Sequence, residues 1–215
     1  GRVLTAKTGT AWLLLGLDYV KSTAAFPCQN VTVKDSEITG ERYFGAVLKG
    51  CENVTFSGNH VSFTARDGLD CWGCAQVIFD KNQIQYTNDD SIACHEDPDA
   101  GGFTTNDPLP SGCTITNNAI LEGAISIIGA KNATISNNQI RRARGTGISV
   151  ASAGTIGATG TASFAVNITG NTITDVYGEP GSNGTCAGCR YTQNQWYMLI
   201  GGGPKQIKIP ALGAA

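Results

Sequence analysis

Apolar and polar residues alternate along this chain in short stretches that recur at intervals. Two alternating apolar residues are followed three residues later by Asn and then by another apolar residue, as in Val54, Phe56, Asn59 and Val61. The pattern occurs five times with Asn and once, earlier, with Ser36 in the Asn position. Successive copies begin 23, 23, 36, 20 and 33 residues apart. An internal repeat therefore organises the chain.

The repeat predicts an all-β fold, a right-handed parallel β-helix of about six or more coils with about 20–23 residues each. Two or three short strands cannot bury an apolar face alone, but stacked coils share one core. Parallel crossover connections are nearly always right-handed. We expect the recurring Asn side chains to stack at one turn and to bond to the backbone of neighbouring coils. They are Asn59, Asn82, Asn118, Asn138 and Asn171.

The fit to the repeat divides the chain into three parts. Residues 28–180 are expected to form the β-helix, residues 1–27 an N-terminal cap or incomplete coil, and residues 181–215 a C-terminal coil or tail. The two longest intervals come from insertions at 97–110 and about 152–163, which leave the coil at the same corner. Loops on one corner of such a fold often wall a binding face. Because the chain does not begin with Met, we expect a processed or shortened chain.

Charge and apolar runs exclude some partners. The net charge is −2, and only 15% of the residues are charged, which argues against nucleic acid and against an anionic membrane surface. The longest apolar run, residues 11–15, is too short to span a bilayer. Five N-x-[ST] sequons occur, and we expect an extracellular or secreted protein, or a location on a virion surface.

The chain has eight Cys residues, and two pairs of them have the C-x-x-C spacing that can bind zinc. The repeat instead places Cys71 and Cys94 in one inward column, and Cys113 at an apolar strand position. We therefore expect these three to be buried thiols that bind no metal. Cys186 and Cys189 lie in a Gly-rich stretch outside the repeat, which is compatible with a local disulfide, and their disulfide state is left open.

Acidic residues are concentrated in one part of the chain. Eight of the 17 Asp and Glu residues fall between Asp67 and Asp99, and Asp67 and Asp90 hold the same position on adjacent coils. Like charges this close raise at least one pKa, and paired carboxylates beside an aromatic ring are what glycosidic cleavage needs. We expect them in an open groove on the outer face. The catalytic candidates are Asp67, Asp70, Asp89, Asp90 and His95, and the substrate-binding candidates are Arg66, Trp72 and Glu96.

Three segments resemble motifs of the polygalacturonase family of glycosidases, in the pectin-lyase-like right-handed β-helix superfamily. They are Asp67-Gly-Leu-Asp70, Asp89-Asp90-Ser-Ile-Ala93 and Gly123-Ala-Ile-Ser-Ile127, within a resemblance that covers residues 60–150. The resemblance implies that Asp67 and either Asp89 or Asp90 are catalytic, with the general acid in the Asp89–Asp90 pair and inversion as the outcome. Gly123 stands where the family has His.

Three functions agree with these features. The first is a glycoside hydrolase that degrades a polysaccharide and needs no cofactor. The second is a polysaccharide lyase or epimerase acting on uronates, in which the acids would hold Ca²⁺ and Arg66 or His95 would serve as base. The third is a non-catalytic β-helix, structural or carbohydrate-binding, from a fibre, a tailspike or an adhesin. The oligomeric state is left open, with a trimer expected for a tailspike-type fragment.

Overall fold

The computed structural model describes residues 3–5, 13–16, 28–39, 44–95, 111–128, 130–143, 146–151, 165–176, 196–200 and 206–209. These residues form β-strands that stack into three sheets. All strand pairs are parallel except the last, β20 with β21. None of the described residues belongs to a helix with the length and hydropathy to cross a membrane.

Each coil contributes one strand to every sheet, in the order sheet 3, sheet 1, sheet 2. Sheet 1 contains β1 Val3–Thr5, β4 Glu37–Thr39, β7 His60–Thr64, β10 Gln83–Thr87, β13 Ala119–Leu121, β16 Gln139–Arg141 and β19 Thr172–Thr174. Sheet 2 contains β2 Leu13–Gly16, β5 Ala46–Lys49, β8 Leu69–Trp72, β11 Ile92–His95, β14 Ile125–Ile128, β17 Ile148–Ala151, β20 Trp196–Ile200 and β21 Gln206–Ile209. Sheet 3 contains β3 Cys28–Lys34, β6 Cys51–Ser57, β9 Ala75–Asp80, β12 Thr114–Thr116, β15 Thr134–Ser136 and β18 Asn167–Thr169. The parallel β-helix is confirmed.

The outer segments of the chain also contribute strands to these sheets. Before residue 28, β1 pairs with β4 and β2 pairs with β5, which gives two of the three strands of a coil. After residue 180, β20 pairs with β17 and β21 adds an antiparallel edge strand. The insertions predicted at 97–110 and 152–163 lie outside the described residues.

The core lies between the three sheets, where inward side chains of successive coils stack. Leu69 and Cys71 on β8 are Cα partners of Ile92 and Cys94 on β11, and all four are fully buried. Aliphatic side chains in such columns contact their equivalents one coil away, so each coil buries its apolar face only by stacking. The period-2 alternation predicted this packing correctly.

A line of stacked Asn side chains, here called the Asn ladder, runs along the corner between sheets 3 and 1. Asn118 shows its bonding: its Nδ2 donates to Phe79 O and to Asn138 Oδ1, each at 2.9 Å. Its Oδ1 in turn accepts from the backbone N–H of Asn82 at 2.9 Å. The same bonds join the five Asn residues predicted from the repeat, which confirms the ladder.

Equivalent residues on successive coils adopt the left-handed backbone conformation at several places. One column follows sheet 3 and contains Asn117 and Asn137, residues that tolerate this conformation well. Another column lies near the ends of the sheet 1 strands β7 and β10 and contains Phe63, with φ of 56°, and Tyr86, with φ of 58°. Bulky side chains are uncommon there because Cβ crowds the neighbouring backbone.

The cysteines differ in part from the sequence prediction. Cys71 is a buried thiol, as expected, but Cys94 and Cys113 form a disulfide, so the prediction of thiols at these two positions is wrong. The repeat compares residues within one column, whereas this bond joins two sheets across the corner from which the 97–110 insertion leaves. Its Cα atoms are 6.7 Å apart, within disulfide range. Cys186 and Cys189 lie outside the described residues.

Candidate active site

The predicted acidic residues gather where sheet 1 passes to sheet 2. Asp67 and Asp90 each lie two residues before a strand of sheet 2, and the N–H of Gly68 donates to Asp90 O at 2.8 Å. This backbone bond fixes the two coils in register, so the two carboxylates stand one above the other. Asp89 directly precedes Asp90 and is exposed. The stacking of coils therefore assembles a cluster from two separate turns.

The carboxylates of this cluster are close together. One oxygen from each of Asp67, Asp89 and Asp90 lies within 4.8 Å of the other two. The backbone N–H of Asp90 also donates to Asp67 Oδ1 at 3.0 Å. Carboxylates at this spacing either share protons or bind a cation, because three negative charges would otherwise repel one another.

Burial separates the roles of the acids. Asp67 is 6% exposed and Asp70 is 0% exposed, whereas Asp90 is half-buried and Asp89 is exposed. The expected open groove is therefore wrong for Asp67 and Asp70. Burial, the charges of Asp70, Asp90 and Asp89, and a hydrogen bond with Asp70 together raise the pKa of Asp67 to about 10, and burial is the largest of these causes. Asp67 consequently keeps its proton at neutral pH.

Asp70 lies on the outward side of β8 and is held by an aromatic neighbour. Trp72 Nε1 donates to Asp70 Oδ2 at 2.5 Å. The Trp72 ring meets the edge of the Phe44 ring at a centroid distance of 6.0 Å, and Arg66 Cζ lies 5.3 Å from the Phe44 centroid. A cation–π contact with Phe44 thus positions the guanidinium of Arg66, the residue that directly precedes Asp67. Trp72, a substrate-binding candidate from the sequence, is half-buried and bonds to a carboxylate.

The remaining sequence candidates are only partly described. His95 ends β11, and its Cα pairs with that of Trp72 on β8, so the two residues share a column as expected. Glu96 lies outside the described residues. The 97–110 insertion, which was expected to border the site, lies outside them as well.

Packing explains why Gly123 replaces the His of the resembling family. A Cβ on Gly123 would come within 1.9 Å of Ser91 Oγ and 2.4 Å of Thr87 Oγ1. These two hydroxyls bond to each other at 2.9 Å and fill the space. Any side chain at this position would displace them.

A basic residue further along the chain, Arg142, forms an ion pair with Glu122 at 3.0 Å.

Sequence reasoning did not identify two aromatic residues near the acids. Phe63 and Tyr86 are exposed on adjacent coils, and their rings stack. Each precedes an acid of the cluster, Asp67 or Asp90, by four residues. This shared spacing could have identified the two aromatic residues from the sequence. Neither residue, however, belongs to the apolar alternation by which the repeat was recognised.

The fold and the register of its coils define the class as the right-handed parallel β-helix. The chain matches the model of the right handed beta helix region over residues 21–173. It belongs to this family. A comparison with curated protein sequences finds no match.

Solved structures share the fold at low sequence identity. One is the catalytic unit of a thermostable GH87 alpha-1,3-glucanase from Streptomyces thermodiastaticus strain HF3-3, with a TM-score of 0.53, 19% identity, and coverage of 66% of this chain and 27% of that one. Another is a GH87 alpha-1,3-glucanase catalytic domain in complex with tetrasaccharides, with a TM-score of 0.53, 20% identity, and coverage of 81% and 32%. A third is the A-module of the Azotobacter vinelandii mannuronan C-5 epimerase AlgE4, with a TM-score of 0.50, 16% identity, and coverage of 86% and 57%. The chain thus matches less than two thirds of each of these structures.

Proposed function

We propose that the protein is a glycoside hydrolase that degrades a polysaccharide at the Asp67–Asp89–Asp90 cluster. The observation that carries this proposal is that Asp67 and Asp89 of the cluster lie in different environments. Burial and neighbouring charges raise the pKa of Asp67 to about 10, while Asp89 is exposed to water. Glycosidic cleavage needs one protonated and one ionised carboxyl group on either side of the bond.

The roles follow from the protonation states. Asp67 donates its proton to the glycosidic oxygen as the bond from that oxygen to the anomeric carbon breaks. An ionised carboxylate, Asp89 or Asp90, either takes a proton from the attacking water or itself bonds to the anomeric carbon. This assignment moves the general acid from the Asp89–Asp90 pair, where the family resemblance implies it, to Asp67.

The spacing bears on stereochemistry. Retaining enzymes place their carboxyl groups about 5–5.5 Å apart, and inverting enzymes about 6.5–9.5 Å apart, which leaves room for a water. The oxygens of Asp67, Asp89 and Asp90 lie within 4.8 Å of one another. This distance is the approach of one oxygen from each residue, and both retention and the inversion that the family resemblance implies fit it.

The solved structures support a carbohydrate substrate. Two of the similar proteins are alpha-1,3-glucanases, one of them in complex with tetrasaccharides, and the third is a mannuronan epimerase. Each reaction requires a sugar chain held along the protein surface. We extend the polysaccharide substrate to this chain, together with an extracellular location, where such polymers occur.

A uronate lyase or epimerase is the second candidate. The observation that favours it is the same group of three carboxylate oxygens, which suits a hard cation such as Ca²⁺. Asp67, Asp89 and Asp90 would hold the ion, which would neutralise a substrate carboxylate. Arg66, which directly precedes Asp67 in the chain, would then be the base.

Incubation with a panel of polysaccharides separates these candidates. Reducing ends without absorbance from unsaturated uronates indicate a hydrolase, and both signals together indicate a lyase. Loss of activity on chelation of Ca²⁺ would support the second candidate. The Asp90→Asn variant is the control for contaminating enzymes. A wild-type protein that cuts nothing in a broad panel would refute the hydrolase and the lyase, and would leave an epimerase or the non-catalytic β-helix.

A further inference from the structure

Two exposed aromatic side chains form a pair on the outer surface. Phe63 is 54% exposed and Tyr86 is 39% exposed, and with Ile78 they are the large apolar side chains exposed among the described residues. The Phe63 and Tyr86 rings are nearly parallel, with an interplanar angle of 13° and a centroid distance of 5.2 Å. We call these two residues the aromatic pair. Adjacent exposed aromatic groups mark candidate binding surfaces.

The backbone at these two positions would suit other residues better. Phe63 and Tyr86 have positive φ, and the same column continues on later coils with the polar residues Glu122, Arg142 and Asp175. Asn or Asp adopts this conformation at a lower cost than a bulky side chain. The fold therefore does not require an aromatic residue at this corner.

The aromatic pair lies beside the acidic cluster on the same two coils. Phe63 precedes Asp67 by four residues, and Tyr86 precedes Asp90 by four. Four residues span at most about 14 Å even when fully extended. The residues between include the exposed side chain of Asn88, which donates to Ala65 O of the coil below at 3.3 Å. The surface where sheet 1 passes to sheet 2 thus forms a strip, with apolar rings at one end and carboxylates at the other.

We propose that the aromatic pair is a sugar-binding subsite that holds the polysaccharide one or more sugar units away from the cleaved bond. This inference rests on the proposed glycoside hydrolase function and adds to it a site for substrate binding. Sugar rings present apolar C–H groups that pack against aromatic rings, while their hydroxyls bond to polar groups such as Asn88. A strip of this composition suits a neutral or weakly charged sugar chain.

The subsite makes activity depend on the length of the substrate. A long chain contacts the aromatic pair and the acids together, whereas a short oligosaccharide reaches only the acids. Removal of the rings therefore weakens binding of long chains and leaves cleavage of the shortest substrate unchanged. Binding energy from a remote contact of this kind enters KM when it is equal in the ground and transition states.

The test uses the full chain with Phe63→Asn and Tyr86→Asn combined. Asn suits the left-handed backbone, so the thermal midpoint is expected to stay the same or rise. The matched control is Ile78→Thr, which removes an exposed apolar side chain of the same coil on a different sheet. Retention on the polysaccharide found in the panel is measured by co-sedimentation, and KM and kcat are measured on long and short substrates.

The expected result is about a tenfold loss of affinity for the long substrate in the double variant, with little change in Ile78→Thr. Equal affinity in the double variant and wild type, with cleavage intact, would overturn the subsite and leave the proposed hydrolase standing. Ring-dependent binding without any cleavage would support the subsite and refute the hydrolase. A wild type that neither binds nor cuts any polysaccharide would overturn both.

Discussion

The protonation of Asp67 makes a prediction about stability as well as about catalysis. Burial and neighbouring charges raise its pKa to about 10 in the folded protein, whereas an unfolded chain has an Asp pKa of about 3.9. The folded state therefore binds more protons than the unfolded state between these values. The free energy of unfolding then falls as pH rises, and this contribution is complete only below the unfolded pKa.

The size of this effect on the free energy of unfolding is limited by the single proton that Asp67 binds. A group protonated only in the folded state changes stability by at most about 1.4 kcal/mol per pH unit, so the loss between about pH 5 and pH 8 is at most about 4 kcal/mol. The charges of Asp70, Asp90 and Asp89 also act on Asp67. This coupling lowers the change in the free energy of unfolding per pH unit below this limit. In Asp67→Asn, an uncharged amide replaces the protonated acid and can still accept the bond from Asp90 N.

Urea unfolding at several pH values measures the slope. We expect the wild type to lose stability from about pH 5 to pH 8, and Asp67→Asn to lose clearly less, so that the variant is the more stable protein at the higher pH. Asp35→Asn is the matched control, because it removes an exposed carboxylate at a different corner of the coil. Parallel slopes for the wild type and Asp67→Asn would refute the protonated Asp67 and with it the assignment of the general acid.

Other changes test separate parts of the structure. Asp90→Asn is expected to abolish glycan cleavage with little change in thermal midpoint; an unfolded variant would mean that this acid supports the turn. Asn118→Ala leaves the buried N–H of Asn82 without its acceptor and should cost about 1–3 kcal/mol in urea unfolding, more than Asn171→Ala in the half-buried last coil. Cys113→Ala opens a disulfide of sequence separation 19 and should lower the free energy of unfolding by about 3 kcal/mol; an equal effect of reductant on the variant and wild type would contradict this.

The sequence was informative wherever a residue repeats its environment on every coil. Asn59 and Asn118 hold equivalent positions, so their shared register was visible in the spacing, and the Asn ladder could be predicted before its bonds were seen. The same logic placed Asp67 and Asp90 in one column. A repeat fixes which residues are neighbours along the axis because each coil stacks on the next with one register.

Features that join different columns were not predictable in this way. The Cys94–Cys113 bond crosses from sheet 2 to the start of sheet 3, and the repeat carries no information on distances across a corner. The burial of Asp70 depends on what covers the outer face of β8. The exclusion of a side chain from Gly123 depends on the hydroxyls of Ser91 and Thr87, which belong to the preceding coil.

The strand register has a consequence for how this molecule can change over evolution. Val54 pairs with Val77 after 23 residues, while Ile78 pairs with Thr114 after 36, yet the strands align equally well. The Cys94–Cys113 bond joins the two ends of the additional chain at its base. Extra chain length at this corner therefore leaves the pairing of the strands unchanged. A β-helix of this kind can therefore change the length of this segment without changing the packing of its core.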